Sequence, residues 1–372
     1  MASDATFDPA AASEDVAAYL RTLAAGGPPL VTRIHPSDEM YRFELAAPHR
    51  SPQTAALLYF AAAGAIFRTV SEIVAWRFGG FGGVGSFLDF ACGYGRATRF
   101  FARALEPSKI TVAEIDAGAV RFQQEAFGVR GCVSGTDPTA LPLEGPFDVV
   151  LAVSFFSHLP AARFEAWLAR LYALVADGSV LIFSTHGPQH LPGREAMTDA
   201  GLAFAPVSET RRLEGSEYGT SWVTADYVRG AAAGAIGSGG RLFAFPYGLC
   251  GYQDLYVLAK PPQRTSAELR PARDPLGALL SAGIDGGVVT ASGWAAGADD
   301  ERPPDVSLFL GERVEAVSPG HGAPGSRREW SFTFPVAAVQ PDRIVRIEAT
   351  SPRGASRVLV AETLRPYLPR GA

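Results

Sequence analysis

The segment LDFACGYGR, residues 88–96, packs the end of a strand, a tight turn and the start of a helix into nine positions. Its apolar run, SFLDF over residues 86–90, ends on Asp89 and Phe90. The turn ACGYG, residues 91–95, places Gly93 and Gly95 where the backbone must bend sharply and can approach a ligand at a helix N-terminus. Beyond it, Ala97, Phe100, Phe101, Ala104 and Leu105 recur at helical spacing and form one face of a helix that Pro107 closes.

The same alternation continues downstream. A strand is predicted over 110–115 (ITVAEI), followed by Asp116 as N-cap and a helix that stops at Gly128, then a short strand over 131–134. Residues 135–146 contain three prolines, so the next crossover helix is reduced or absent. The run FDVVLAV, 147–153, is apolar nearly throughout, as a central strand buried on both faces requires. A helix over 161–175 aligns Phe164, Trp167, Leu168, Leu171 and Val175, and a fifth strand follows over 179–185. Residues 186–240 read as an irregular insertion with a helix near 224–235, and strands 241–245 and 254–259 are close enough to form an antiparallel hairpin at the sheet edge. The fold class is therefore α/β, a doubly wound, seven-stranded Rossmann-like sheet over residues 51–260.

The flanks have a different pattern. Residues 1–50 are expected to form a leader and cap, the acid-bearing first residues being flexible and unlike a targeting peptide. Ser51 and Pro52 start a helix whose apolar stretch, 55–67, is thirteen residues, short of the roughly 20 that cross a bilayer, so no membrane span is expected. Residues 261–275 are rich in Pro and Arg and read as a linker. From 276 to 372, period-two runs such as Val306–Leu308–Leu310 and Trp330–Phe332–Phe334 predict a small β-sandwich. A net charge of −5 without a basic run argues against nucleic acid. Cys92, Cys132 and Cys250 supply neither a disulfide framework nor a metal-ligand spacing, so no metal is expected and a reducing, cytoplasmic setting fits.

In an open α/β sheet, ligands bind beyond the carboxyl ends of the strands where the strand order reverses. A dinucleotide turn starting at Gly93 needs a third glycine at position 98, where Thr98 stands, so a pyrophosphate site is disfavoured. LDFACGYGR resembles instead the first motif of class I S-adenosylmethionine-dependent methyltransferases. The resemblance continues in order through Glu114, the TDP of 136–138, FDVVLAVSFFSHLP (147–160) and VADGSVLIFSTHG (175–187), and covers residues 55–260.

That resemblance implies S-adenosyl-L-methionine as cofactor. Asp89, Phe90, Ala91, Cys92, Gly93 and Gly95 then surround its methionine part, with Asp89 facing the ammonium. Glu114 falls at the ribose hydroxyls, Thr136 and Asp137 at the adenine, and Ile115, Val153 and Ser154 beside the cofactor. Ala91 stands where the family usually has glycine. Glu114 does not separate this reading from a dinucleotide enzyme, and Asp137 serves equally as a turn former.

His158 and His186 follow the fourth and fifth strands on the ligand side and are candidate bases, with Tyr218, beside Glu217 in the insertion, as a third catalytic candidate. His35, His49, His190 and His321 have no comparable position. The expected acceptor is a hydroxyl of a sugar or other small metabolite, selected by the insertion and by the N-terminal region around residues 35–41 and Tyr59. Gly293, Trp294 and Ala295 resemble small "GWA" β-modules of bacterial surface-glycan enzymes, which implies glycan or protein contact; the simpler expectation is that Trp294 packs in the sandwich core. Two other functions stay open: a noncatalytic protein that keeps the cofactor fold as scaffold, and an NAD(P)-dependent oxidoreductase.

Overall fold

The computed structural model describes residues 6–193, 195–208, 213–236, 239–297 and 302–364. The first five residues of the expected leader, residues 298–301 of the stretch around Trp294 and the C-terminal residues 365–372 lie outside them.

The chain divides into two compact units, Phe67–Pro271 and Met1–Ile66 together with Ala272–Ala372. Its helices begin with α1 (Pro9–Ala12), α2 (Glu14–Leu23), α3 (Glu39–Leu45) and α4 (Pro52–Phe78). The described part of the acid-bearing N-terminus, expected as a flexible leader, is folded into α1 and α2. Asp15, on α2, is buried, with Oδ2 accepting from the Ile344 amide at 2.7 Å and Oδ1 paired with Arg343 at 2.6 Å. Asp38 caps α3 and accepts the Tyr59 hydroxyl at 2.7 Å, so residues 35–41 and Tyr59 brace each other within this unit.

Helix α4 begins as predicted, with Ser51 Oγ accepting from the Thr54 amide at 3.1 Å, but it runs on to Phe78. At 27 residues it is long and apolar enough to cross a membrane by length and composition alone. Its extension is explained by Arg77, which is 2% exposed and donates to the carbonyls of Gly178, Lys260 and Pro262 at 3.0, 2.7 and 3.0 Å. With Trp76 Nε1 bonded to Ala267 O at 2.8 Å, this anchors part of the segment read as a linker.

Within Phe67–Pro271, the strands are β1 (Phe87–Phe90), β2 (Ile110–Glu114), β3 (Arg130–Val133), β4 (Phe147–Ala152), β5 (Val175–Thr185), β6 (Leu202–Ala205), β7 (Thr220–Val223), β8 (Arg241–Leu249) and β9 (Gln253–Ala259). The helices are α5 (Thr98–Ala104), α6 (Ala117–Phe127), α7 (Ala161–Ala173) and α8 (Ala225–Ile236). The seven-stranded sheet has the order β3-β2-β1-β4-β5-β9-β8. Its first five strands are parallel, and β9 runs antiparallel between β5 and β8. This is the doubly wound α/β sheet expected, with the order reversing between β1 and β4. Asp116 caps α6 and Gly128 closes it in the left-handed region, as their residue types predict. Phe164, Trp167, Leu168 and Leu171 on α7 are buried against the sheet. The short β6–β7 hairpin inside the insertion was not legible in the sequence.

The described residues between 276 and 364 form the expected sandwich. Strands β10 (Leu276–Asp285), β11 (Val288–Ala296) and β14 (Arg327–Pro335) make one sheet. The other is β13 (Arg313–Ser318), β12 (Asp305–Leu310), β15 (Ile344–Thr350) and β16 (Ser356–Thr363), in that order. Trp294 does not pack in the core as expected. It is half-buried under the Arg327 guanidinium, 4.5 Å from the ring centroid, while the core tryptophan is Trp330. Gly293 leaves room for that indole, since a Cβ there would lie 2.4 Å from Trp330 Cζ2.

Candidate functional site

The carboxyl ends of the parallel strands bring the residues singled out in the sequence to one edge of the sheet. Asp89 is 4% exposed and accepts a 2.7 Å hydrogen bond from Thr98 Oγ1. Burial raises its carboxyl to about 7, the Thr98 bond opposing this and the Glu114 charge adding to it. No cation pairs with it among the described residues. Ala91 has φ 54°, in the left-handed region that glycine enters freely, which explains why glycine suits this position. Gly95 is required by packing, because a Cβ there would lie 2.5 Å from Phe127 Cε2, whereas the Cβ position of Gly93 faces open space.

Glu114 is tied to that turn. Its Oε2 accepts from the Gly93 amide at 2.9 Å, and Oε1 accepts from the amides of Ile115 at 2.8 Å and Asp116 at 3.2 Å. Burial raises the Glu114 carboxyl and these amides pull it back down. Ile115 and, at the end of β3, Val133 are exposed apolar side chains on this edge; Val133 was missed because a lone valine carries no pattern. Thr136 is exposed, and Asp137 accepts from the Thr139 amide and hydroxyl at 2.9 and 2.8 Å, the geometry of a turn former. The Phe90 ring sits in the core, 5.0 Å from both Phe155 and Trp167, so only its backbone borders the turn. Cys92 accepts from Gln123 Nε2 at 3.1 Å, and burial with the nearby Asp89 and Glu114 charges pushes its thiol well up, away from nucleophilic use.

On the other side of the reversal point, the half-buried Val153 and Ser154 follow β4, with Ser154 held at φ 59°. The Ser154 amide donates to Ser184 Oγ at 2.9 Å, and both hydroxyls donate to Gln253 Oε1, at 3.1 and 2.7 Å. Gln253 Nε2 lies 3.4 Å from His186 Nε2. Gln253 was not foreseen, because only the antiparallel insertion of β9 beside β5 brings it here. His158 is 5% exposed, and its Nδ1 donates to the Gly219 carbonyl at 2.7 Å. In the neutral ring Nε2 is then the nitrogen that accepts a proton. Tyr218 stacks on His158 at 4.6 Å and 12°, and the His186 ring lies 6.1 Å from it, so the three catalytic candidates come together. Burial, with smaller effects from His158 and His190, lowers His186 to about 4. Glu217 instead pairs with Arg163 at 2.7 Å.

The carboxyl-lined turn accords with the comparisons. Residues 88–181 match the model of a family described as a methyltransferase domain. These residues span β1 to β5, the part of the sheet that carries Asp89, Glu114 and Ser154. The cofactor expected from the sequence, S-adenosyl-L-methionine, agrees with this match. A curated protein of Pseudomonas putida named "Probable fatty acid methyltransferase" is 26% identical over 118 residues, 31% of this chain and 30% of that protein. The match thus spans about a third of that relative's length. Among solved structures, DesVI of Streptomyces venezuelae is 14% identical with a TM-score of 0.42, covering 61% of this chain and 99% of its own. CalS10 of Micromonospora echinaspora, an amino pentose methyltransferase bound to S-adenosylmethionine, is 18% identical with a TM-score of 0.39, covering 55% and 92%.

The residues present fit this cofactor. A buried carboxyl without a cation suits an ammonium, and the open space at Gly93 admits a ligand to the turn. Glu114 offers carboxylate oxygens for hydroxyl groups, with exposed Ile115 and Val133 as apolar neighbours. A pyrophosphate at this turn would meet the buried Asp89 carboxyl, which, with Thr98 in place of a third glycine, argues against the dinucleotide alternative.

Proposed function

We propose that this protein binds S-adenosyl-L-methionine at the β1 turn and transfers its methyl group to a hydroxyl of a small molecule. The observation that carries this reading is Asp89, a buried carboxyl with a hydroxyl partner and, among the described residues, no cation, beside a glycine turn latched to Glu114. Asp89 would hold the ammonium, Glu114 the ribose hydroxyls, and Ile115 and Val133 the flanks of the adenine. When bound, the cofactor supplies a methyl group on a cationic sulfur, open to in-line displacement. The protein's contribution is alignment and proton handling. The Gly219 carbonyl orients His158 so that Nε2 can take a proton from an acceptor hydroxyl, Tyr218 fixes the plane of that ring, and His186 stays uncharged at neutral pH. A sugar or other small metabolite is the acceptor we favour.

Calorimetry with S-adenosylhomocysteine tests the site: Asp89→Ala and Glu114→Ala should each weaken binding at least tenfold while the circular dichroism of the fold is kept. Unchanged affinity in both variants rejects the assignment. Incubation with methyl-labelled S-adenosylmethionine and a cell extract then identifies the class of molecule that takes the label.

A further inference from the structure

The end of β8 and the turn joining it to β9 carry backbone strain at residues that are not glycine. Tyr247 has φ 53° and Cys250 φ 56°, both in the left-handed region, ahead of Gly251 at φ 60°. Bulky side chains avoid this region because Cβ crowds the neighbouring carbonyl, and such strain persists where surrounding contacts over-determine it. Asp254 supplies one such contact: it is 6% exposed, and Oδ1 accepts from the Tyr247 amide at 2.9 Å and from Gln189 at 3.2 Å.

The strained turn gathers rings at the ligand edge. Tyr252 lies 4.1 Å from the His190 ring at 37°, and His190 Nε2 donates to the Tyr252 carbonyl at 2.8 Å. Tyr247 lies 5.8 Å from His190, and His186 lies 5.6 Å from Tyr252. Although it packs against two imidazoles, Tyr252 is 44% exposed. Asp254 pairs with Thr185 at the carboxyl end of β5, which places the turn beside the ends of the parallel strands. The preceding residue, Gln253, accepts from the Ser154 hydroxyl after β4.

We propose that Tyr252, backed by His190 and Tyr247, is a stacking platform that selects an acceptor with an uncharged ring, the acceptor role resting on the methyl-transfer reading above. A ring face gains dispersion and quadrupole contact on such a surface, whereas an anion gains nothing there. Among the described residues, no lysine or arginine is bonded to or stacked on Tyr247, Tyr252, His186 or His190. His186 also stays uncharged at neutral pH, and the Asp254 oxygen is already engaged by Tyr247 and Gln189. The shared ligand chemistry is a ring with one apolar face and hydroxyls at its rim, found in both sugars and phenols.

Saturation-transfer NMR on the full chain tests this with methyl glucoside and phenol as uncharged probes and glucuronate and benzoate as their charged counterparts, each with and without S-adenosylhomocysteine. At least one uncharged probe should receive saturation, at least fivefold more strongly than its carboxylate; which one does separates a sugar from an aromatic acceptor. Tyr252→Ala should abolish the signal and Tyr252→Phe should keep it, both with wild-type affinity for S-adenosylhomocysteine by calorimetry. Equal signals from the carboxylates, no signal from any ring, or an undiminished signal in Tyr252→Ala overturns the platform. Failure of the wild type to bind S-adenosylhomocysteine speaks instead against methyl transfer, and the cofactor-free spectra still judge the platform.

Discussion

Thr98 Oγ1 donates a 2.7 Å hydrogen bond to Asp89 Oδ2, nine residues earlier in the chain, and both side chains are buried. Thr98 occupies the position where a dinucleotide turn has its third glycine. Here it holds the carboxyl that the cofactor's ammonium is proposed to meet.

Asp89→Asn should therefore trade cofactor affinity for stability. Burial raises the folded-state value to about 7 from 3.8, so the folded protein retains a proton that the unfolded chain has lost. The resulting destabilisation grows as pH rises from about 4 to about 7, and the asparagine removes it. Urea unfolding without ligand should find the variant more stable at pH 8 by roughly 1–4 kcal/mol, with no gain at pH 4, while affinity for S-adenosylhomocysteine falls. Equal stability of the two proteins at pH 8 counts against the buried, unpaired state of Asp89.

Cofactor binding should carry the same proton. An ammonium beside Asp89 favours its ionised form, so binding near pH 6 should release up to one proton and affinity should drop up to tenfold per unit below about 7. Calorimetry in buffers of different ionisation enthalpy measures the release. His186, lowered to about 4, stays neutral over that range, so the turnover rate at saturating cofactor should show no loss from its protonation between pH 7 and 5.5.

Gly293→Ala should loosen the sandwich. The added Cβ would meet Trp330 Cζ2 at 2.4 Å and the Ala278 carbonyl oxygen at 2.2 Å, and the backbone oxygen cannot move aside cheaply. A cost of about 1–3 kcal/mol is expected in denaturant unfolding, along with a red shift of tryptophan emission. An unperturbed midpoint would show that the indole has another position available.

Asp15→Ala should destabilise the unit formed by the chain's two ends. It leaves the buried Ile344 amide without its 2.7 Å acceptor, a loss of ~2 kcal/mol by thermal unfolding. Arg343→Gln removes only the partner that is 40% exposed and should cost less than ~1 kcal/mol. Similar losses in the two variants would mean that the ion pair, rather than the amide bond, holds α2.

Local patterns carried much of this architecture. Hydrophobic period and turn residues located the strands from β1 to β5 and the helices α5 to α7, and they identified Asp116 and Gly128 as caps, because these features depend on residues within a few positions of one another. The Gly93–Gly95 turn and the two strand-end acids were legible for the same reason. Only the tertiary structure decided what those residues meet. Gln253 reaches Ser154 across 99 positions, Asp15 reaches Ile344 across 329, and Gly219 orients His158 across 61. Such bonds follow from strand order and register, which a linear pattern does not encode. Sequence thus defined a carboxyl-flanked turn at the head of an α/β sheet. The antiparallel placement of β9 added Gln253 and the Tyr252 ring to its edge, because the start of that strand lies beside the end of β5.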